Sequence, residues 1–109
     1  MIELREYVDP AGRSLFARWF DRPDHLTALR IRTVLARLEN GNLASLKGVG
    51  GGVLEARLDF GPGYRLYLGR DGEALIILLC GGTKARQQRD IETARSYWLD
   101  YRQRKRTEG

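Results

Sequence analysis

Three strand-like stretches follow one another between residues 53 and 80, separated only by glycine turns, and this spacing commits the middle of the chain to a meander. Residues 53–60 alternate. Leu54, Ala56, Leu58 and Phe60 fall on one face, and Glu55, Arg57 and Asp59 on the other, as the two-residue period of a strand requires. Gly61-Pro62-Gly63 turns the chain, residues 64–68 return, and Arg70-Asp71-Gly72 turns it again. Residues 74–80 are apolar throughout, which predicts a central strand covered on both faces.

Helical patterns flank the meander. Residues 2–8 alternate loosely before the turn Asp9-Pro10-Ala11-Gly12, so a first strand is expected there. Ser14 can cap a short helix carrying Leu15, Phe16, Trp19 and Phe20, which Arg22-Pro23-Asp24 ends. A second helix starts near Asp24. Its apolar stripe is Leu26, Ile31, Val34, Leu35 and Leu38, and Asn40-Gly41-Asn42 stops it. The tight break between the two predicts an α-hairpin. Residues 47–52 are glycine-rich and read as a loop. Gly81-Gly82-Thr83 leads into a last helix near residues 86–104, with Ile91, Ala94, Tyr97, Trp98 and Tyr101 as its stripe. The expected architecture is α+β, in the order strand-helix-helix-strand-strand-strand-helix. At 109 residues the whole chain, residues 1–109, makes one domain with no repeat or linker.

Charge is unevenly placed. Between Lys84 and Arg106 there are eight basic residues (Lys84, Arg86, Arg89, Arg95, Arg102, Arg104, Lys105 and Arg106) against Asp90, Glu92 and Asp100, so this segment carries the whole net charge of +5. A basic end points to a polyanionic partner, nucleic acid or an acidic protein. A solvated helix face with a frayed basic tail from about residue 102 explains it equally well. Cys80 sits in an apolar run and reads as a buried structural thiol, because a reactive thiolate needs exposure and nearby positive charge. His25, the one histidine, falls at the start of the second helix and reads as a surface residue. One histidine and one buried cysteine leave too few ligands for a zinc site. The charged N-terminus lacks the apolar core of a signal peptide, and no apolar run reaches membrane-spanning length, so a cytoplasmic protein is expected.

From about Phe16 to Trp98 the chain resembles the RelE/ParE toxin superfamily, most of all the HigB-like branch of addiction-module killer proteins. The residues that carry the likeness are 38–42, 47–53, 54–57, 60–67 (with Gly63-Tyr64-Arg65 inside) and 78–84, together with Gln87, Asp90 and Ile91. The resemblance implies a RelE/ParE-like fold, a curved antiparallel sheet over helices packed on one side. It implies the toxin of a type II toxin–antitoxin pair that cuts mRNA on the ribosome without metal or other cofactor. It also implies a cognate antitoxin, usually a DNA-binding protein of the helix-turn-helix kind. The arginine of the Gly-Tyr-Arg motif falls on Arg65 and the basic residue after the last strand on Lys84. Lys47 and Arg57 match basic positions at and before the second strand. A catalytic tyrosine or histidine of some relatives has no counterpart, since Gln87, Gln88 and Asp90 occupy that region.

These residue types suit the chemistry. Cutting RNA through its own 2′-hydroxyl needs cations aimed at a crowded anionic phosphorus, and such fixed donors commonly supply about 3–4 kcal/mol each. Arginine's planar fork binds phosphate oxygens in pairs and keeps its charge. Arg57 and Arg65, on neighbouring strands, are expected to share a face and clamp one phosphate. The other reading pairs them with Glu55 and Asp59. Lys84, after two glycines, can reach the same place and serve as acid or base. Lys47 belongs to the same set, although its loop lacks the order of a phosphate loop. Arg86 and Gln87 are expected to touch RNA. Tyr67 shares the face of Arg65, where it stacks a base if exposed or packs in the core if covered. Two further readings stand beside this one: a non-catalytic ParE-like toxin that inhibits DNA gyrase, and a basic surface that serves chiefly to dock the antitoxin.

Overall fold

The computed structural model describes residues 1–108. In chain order the elements are β1 (Glu3–Glu6), α1 (Leu15–Phe20), α2 (His25–Glu39), β2 (Lys47–Gly50), β3 (Val53–Leu58), β4 (Tyr64–Arg70), β5 (Leu75–Thr83) and α3 (Gln87–Glu108). A single 3-10 turn, Lys84–Arg86, leads into α3. The fold is α+β, as expected.

Local chemistry sets the helix starts. The Ser14 hydroxyl accepts from the Ala17 amide at 3.1 Å and the Asp24 carboxylate from the Thr27 amide at 2.8 Å. Each satisfies an amide that the first turn leaves without a partner, worth about 1 kcal/mol. His25, next in line, is the exposed first residue of α2. The two helices share one apolar cluster through Phe16 and Leu38, and the Arg32 guanidinium of α2 lies 5.4 Å from the Phe20 ring of α1. α1 lies along β5, while α2 reaches β1, where the Ile2 amide donates to the Glu39 carbonyl at 2.8 Å.

The sheet order is β1-β5-β4-β3-β2. Strands β2 to β5 are antiparallel neighbours, whereas β1 joins β5 in parallel. The sheet is therefore mixed, not wholly antiparallel. After β1 the chain crosses through α1 and α2 to the far edge, then walks back strand by strand. It reaches β1 again running in the same direction. The glycine-rich segment is not a loop but the edge strand β2. Its ladder bonds to β3 outweigh the low strand preference of glycine. Gly50, Gly51 and Gly52, at φ of 95°, 64° and 85°, then turn the chain in a conformation that other residues rarely adopt.

Helices cover both faces of the sheet, not one. Ile76 and Leu78 of β5 pack with Phe16, Leu38, Leu66 and Leu68 under α1 and α2. Ile77 and Leu79 pack with Tyr7, Val53, Tyr67 and the α3 residues Ile91, Ala94 and Trp98 on the other side. This is the cover that the apolar run of β5 calls for. Each fully buried aliphatic side chain here stabilises the fold by roughly 1.5–3 kcal/mol relative to an exposed one. Cys80 lies buried in the α3 core, and burial pushes its thiol up to about 12. The register slips between Tyr67 and Leu68, leaving Leu79 as an extra residue in β5. Beyond this bulge Gly81 faces Trp19 of α1 and Gly82 faces Asp90 of α3.

The expected basic tail is helical to Glu108. Arg104 pairs with Asp100 within α3 at 2.9 Å, and Lys105 pairs with Asp71, which ties the end of α3 to the β4–β5 turn. No helix among the described residues is long and apolar enough to cross a membrane.

Candidate functional site

One buried carboxylate organises the corner where β3, β4 and α3 meet. Glu55 is wholly inaccessible. Its strand places it opposite Lys47 of β2 on one side and Tyr67 of β4 on the other. Two residues further, Arg57 stands directly opposite Arg65. Since a strand alternates its faces, all of these point to the side that α3 covers. α3 contributes its first residue, Gln87, which donates to Glu55 Oε2 at 2.7 Å. The Tyr67 hydroxyl donates to the same oxygen at 3.0 Å, and Arg57 Nε donates to Oε1 at 2.9 Å. Arg65 Nε lies 4.0 Å from Oε2 and has no hydrogen-bond partner among the described residues.

Burial alone pushes the Glu55 carboxyl up, but the hydrogen bonds from Arg57, Gln87 and Tyr67 outweigh it and hold the group below its usual range. Glu55 is therefore an anion at neutral pH. It faces two guanidiniums, so one positive charge is left over where Arg57 and Arg65 meet. The two alternatives for these arginines combine. Both gather around Glu55, yet Arg57 keeps 46% of its side chain exposed. Asp59 makes no ion pair with either.

Lys84 closes the corner. Gly63 stands between it and Arg65. The space that a Cβ at Gly63 would fill lies 3.0 Å from Lys84 Cβ and 3.7 Å from Arg65 Nη1. The positive φ of Gly63, 75°, makes the turn that permits this approach. Lys84 and Lys47 are exposed at the margins. The four residues Lys47, Arg57, Arg65 and Lys84 thus border one region, drawn from β2, β3, β4 and the turn before α3.

Two expectations need correction. Tyr67 offers no ring to a nucleic acid base, because α3 covers it completely and its hydroxyl is engaged by Glu55. Burial pushes that hydroxyl well above its ordinary value, so it stays a donor. Gln87 is likewise committed to Glu55 and is not a free contact for RNA. Arg86 is exposed and lines a cleft on the other flank of α3, apart from the Glu55 corner. From the sequence Glu55 is legible only as an alternative ion-pair partner of the arginines, and not as a wholly buried acceptor. The available signal was Val53, an apolar residue two positions away on the same face, which implies that something covers it.

A protein of Haemophilus influenzae, described as an uncharacterized protein, is 41% identical over 81 residues, covering 73% of this chain and 82% of its own length. No protein-family model matches the chain.

Proposed function

We propose that this chain, which belongs to the same family as the Haemophilus influenzae protein, is the toxin of a type II toxin–antitoxin pair that cuts mRNA by a metal-independent route. One observation carries the reading. Arg57 and Arg65 stand in register on one face, held by a single buried carboxylate, with Lys84 at the rim. The sequence likeness to RelE/ParE toxins of the HigB-like branch supports it.

Each side chain has a distinct part in the reaction. Arg57, whose side chain is 46% exposed, grips the non-bridging oxygens of the scissile phosphate, and Arg65, buried beside it, adds its positive charge as the 2′-hydroxyl oxygen attacks phosphorus and gives its proton to solvent water. Lys84 and Lys47 hold the flanking phosphates, and Lys84 gives a proton to the departing 5′-oxygen. Glu55 has both oxygens occupied as acceptors, so it positions the arginines and is not the base. In this reading the protein works in the cytoplasm, on the ribosome, and is silenced by a DNA-binding antitoxin that covers the basic face.

Induction in cells tests the proposal, with mRNA ends mapped and plasmid supercoiling followed together. Cuts in phase with codons, lost in Arg65→Ala, are expected with supercoiling unchanged. Altered supercoiling without RNA cleavage would replace the nuclease with a gyrase inhibitor.

A further inference from the structure

A second set of cations lies on the opposite flank of the first turn of α3. There a cleft of about 480 Å³ opens between α1 and α3. Arg18 of α1 and Arg22 just beyond it line one wall, and Arg86 of the 3-10 turn and Arg89 of α3 line the other. All four are exposed, and none makes an ion pair among the described residues. The floor is the end of β5. That strand continues to Thr83, although β1 pairs with it only as far as Leu78. Trp19 lies against Gly81 with its indole partly exposed in the cleft. Asp90 is the only acid in the lining, and its Oδ2 is buried without a hydrogen-bond partner.

Four exposed guanidiniums line one cleft beside a single carboxylate, so the cleft carries an excess of positive charge. An anion relieves it. A flat ring beside the cations asks for more than charge, because it matches a ligand that joins phosphate to an aromatic base. Thr83 lines this cleft, and the next residue, Lys84, borders the Arg57–Arg65 corner. Tyr64 lines it too, next to Arg65. A strand lying across the corner passes Lys84 and enters the cleft.

We propose that the cleft is a second subsite for single-stranded RNA, taking a nucleotide next to the cleaved bond with its phosphate between the arginines and its base against Trp19. This rests on the RNA-cleaving reading and extends it to substrate binding.

The test uses binding alone, with a fluorescent 2′-O-methyl oligoribonucleotide that cannot be cut through its 2′-oxygen. Wild type is compared with Arg22→Ala/Arg89→Ala and with the charge-matched control Arg37→Ala/Arg102→Ala. Each exchanged arginine is exposed. The cleft variant is expected to bind about tenfold more weakly, with the slope of log affinity against log salt shallower by about one, while the control changes little. Tryptophan emission should be quenched on binding in wild type but not in Trp19→Phe. Equal affinity and slope in the cleft variant and the control would overturn the proposal. So would a polyglutamate peptide that binds wild type more tightly than the oligonucleotide and loses that binding in the cleft variant, which would give the cleft a protein ligand. Cleavage is not read here, so a protein that binds through the cleft but never cuts RNA refutes the nuclease and leaves the subsite standing.

Discussion

Replacing Glu55 by glutamine keeps the shape of the side chain and removes its charge. That separates its role as a packed acceptor from its role as the counter-ion of two arginines. Hydrogen bonds hold the folded carboxyl below its ordinary value of 4.5. A group depressed in this way contributes stability that is complete above the unfolded value and is lost as pH falls through the folded one. Urea denaturation between neutral pH and about pH 3 is expected to show wild type losing stability across and below the carboxylate range. Glu55→Gln should lose less over the same interval. At neutral pH the variant should be about 1–3 kcal/mol less stable, because two guanidiniums then face each other without an anion. Arg57 is half exposed and can turn to water, which keeps the cost below that of a fully buried pair. The arginines themselves were legible in the sequence, since the alternation of β3 and β4 places both on one face. What lay beyond the sequence was the partner. Gln87 is 32 positions from Glu55 and its contact depends on where α3 lands, which no local pattern encodes.

At the scale of elements, α3 and β4 meet where a glycine lies beneath an indole. A Cβ at Gly69 would sit 2.4 Å from the Trp98 ring. Gly69→Ala is therefore expected to destabilise by about 1–3 kcal/mol through overpacking. Trp98→Ala should cost about 3–5 kcal/mol by emptying the α3 core. The double variant should cost less than the two together, because the small residue vacates the space that the new methyl needs. Chemical denaturation of the four proteins measures this coupling, and strict additivity would mean that the ring does not rest on Gly69. The stripe of α3 was readable, since Ile91, Ala94 and Trp98 recur at helical spacing and all are buried. β2 was not, because Gly48 and Gly50 carry no side chains to betray a strand. Its pairing comes from β3 and not from its own residues. The mixed sheet was equally hidden, since the residues of β1 do not reveal the direction in which a neighbour runs.

Across the whole molecule, β5 contributes to both apolar cores, one on each face of the sheet. Neither core can dissolve without exposing the other side of the same strand, so unfolding should be a single cooperative transition. Cys80 offers a probe. Its thiol is buried and held up to about 12, so it should resist a thiol reagent until the chain opens. Labelling of Cys80 and loss of tryptophan fluorescence are expected to share one urea midpoint, and earlier labelling would mean that the α3 side opens alone. The positive corner draws on four separate elements and depends on that shared scaffold. The chemistry proposed for that corner is best read from the ends of a cut strand. Purified protein should be given ribosome-bound mRNA and the new termini identified. A 2′,3′-cyclic phosphate on one fragment and a 5′-hydroxyl on the other are predicted, with both absent when the nucleotide before the cut lacks its 2′-hydroxyl and in Arg65→Ala. Cleavage that persists without that hydroxyl, or no cleavage by the folded wild-type chain, would rule out transesterification at this corner.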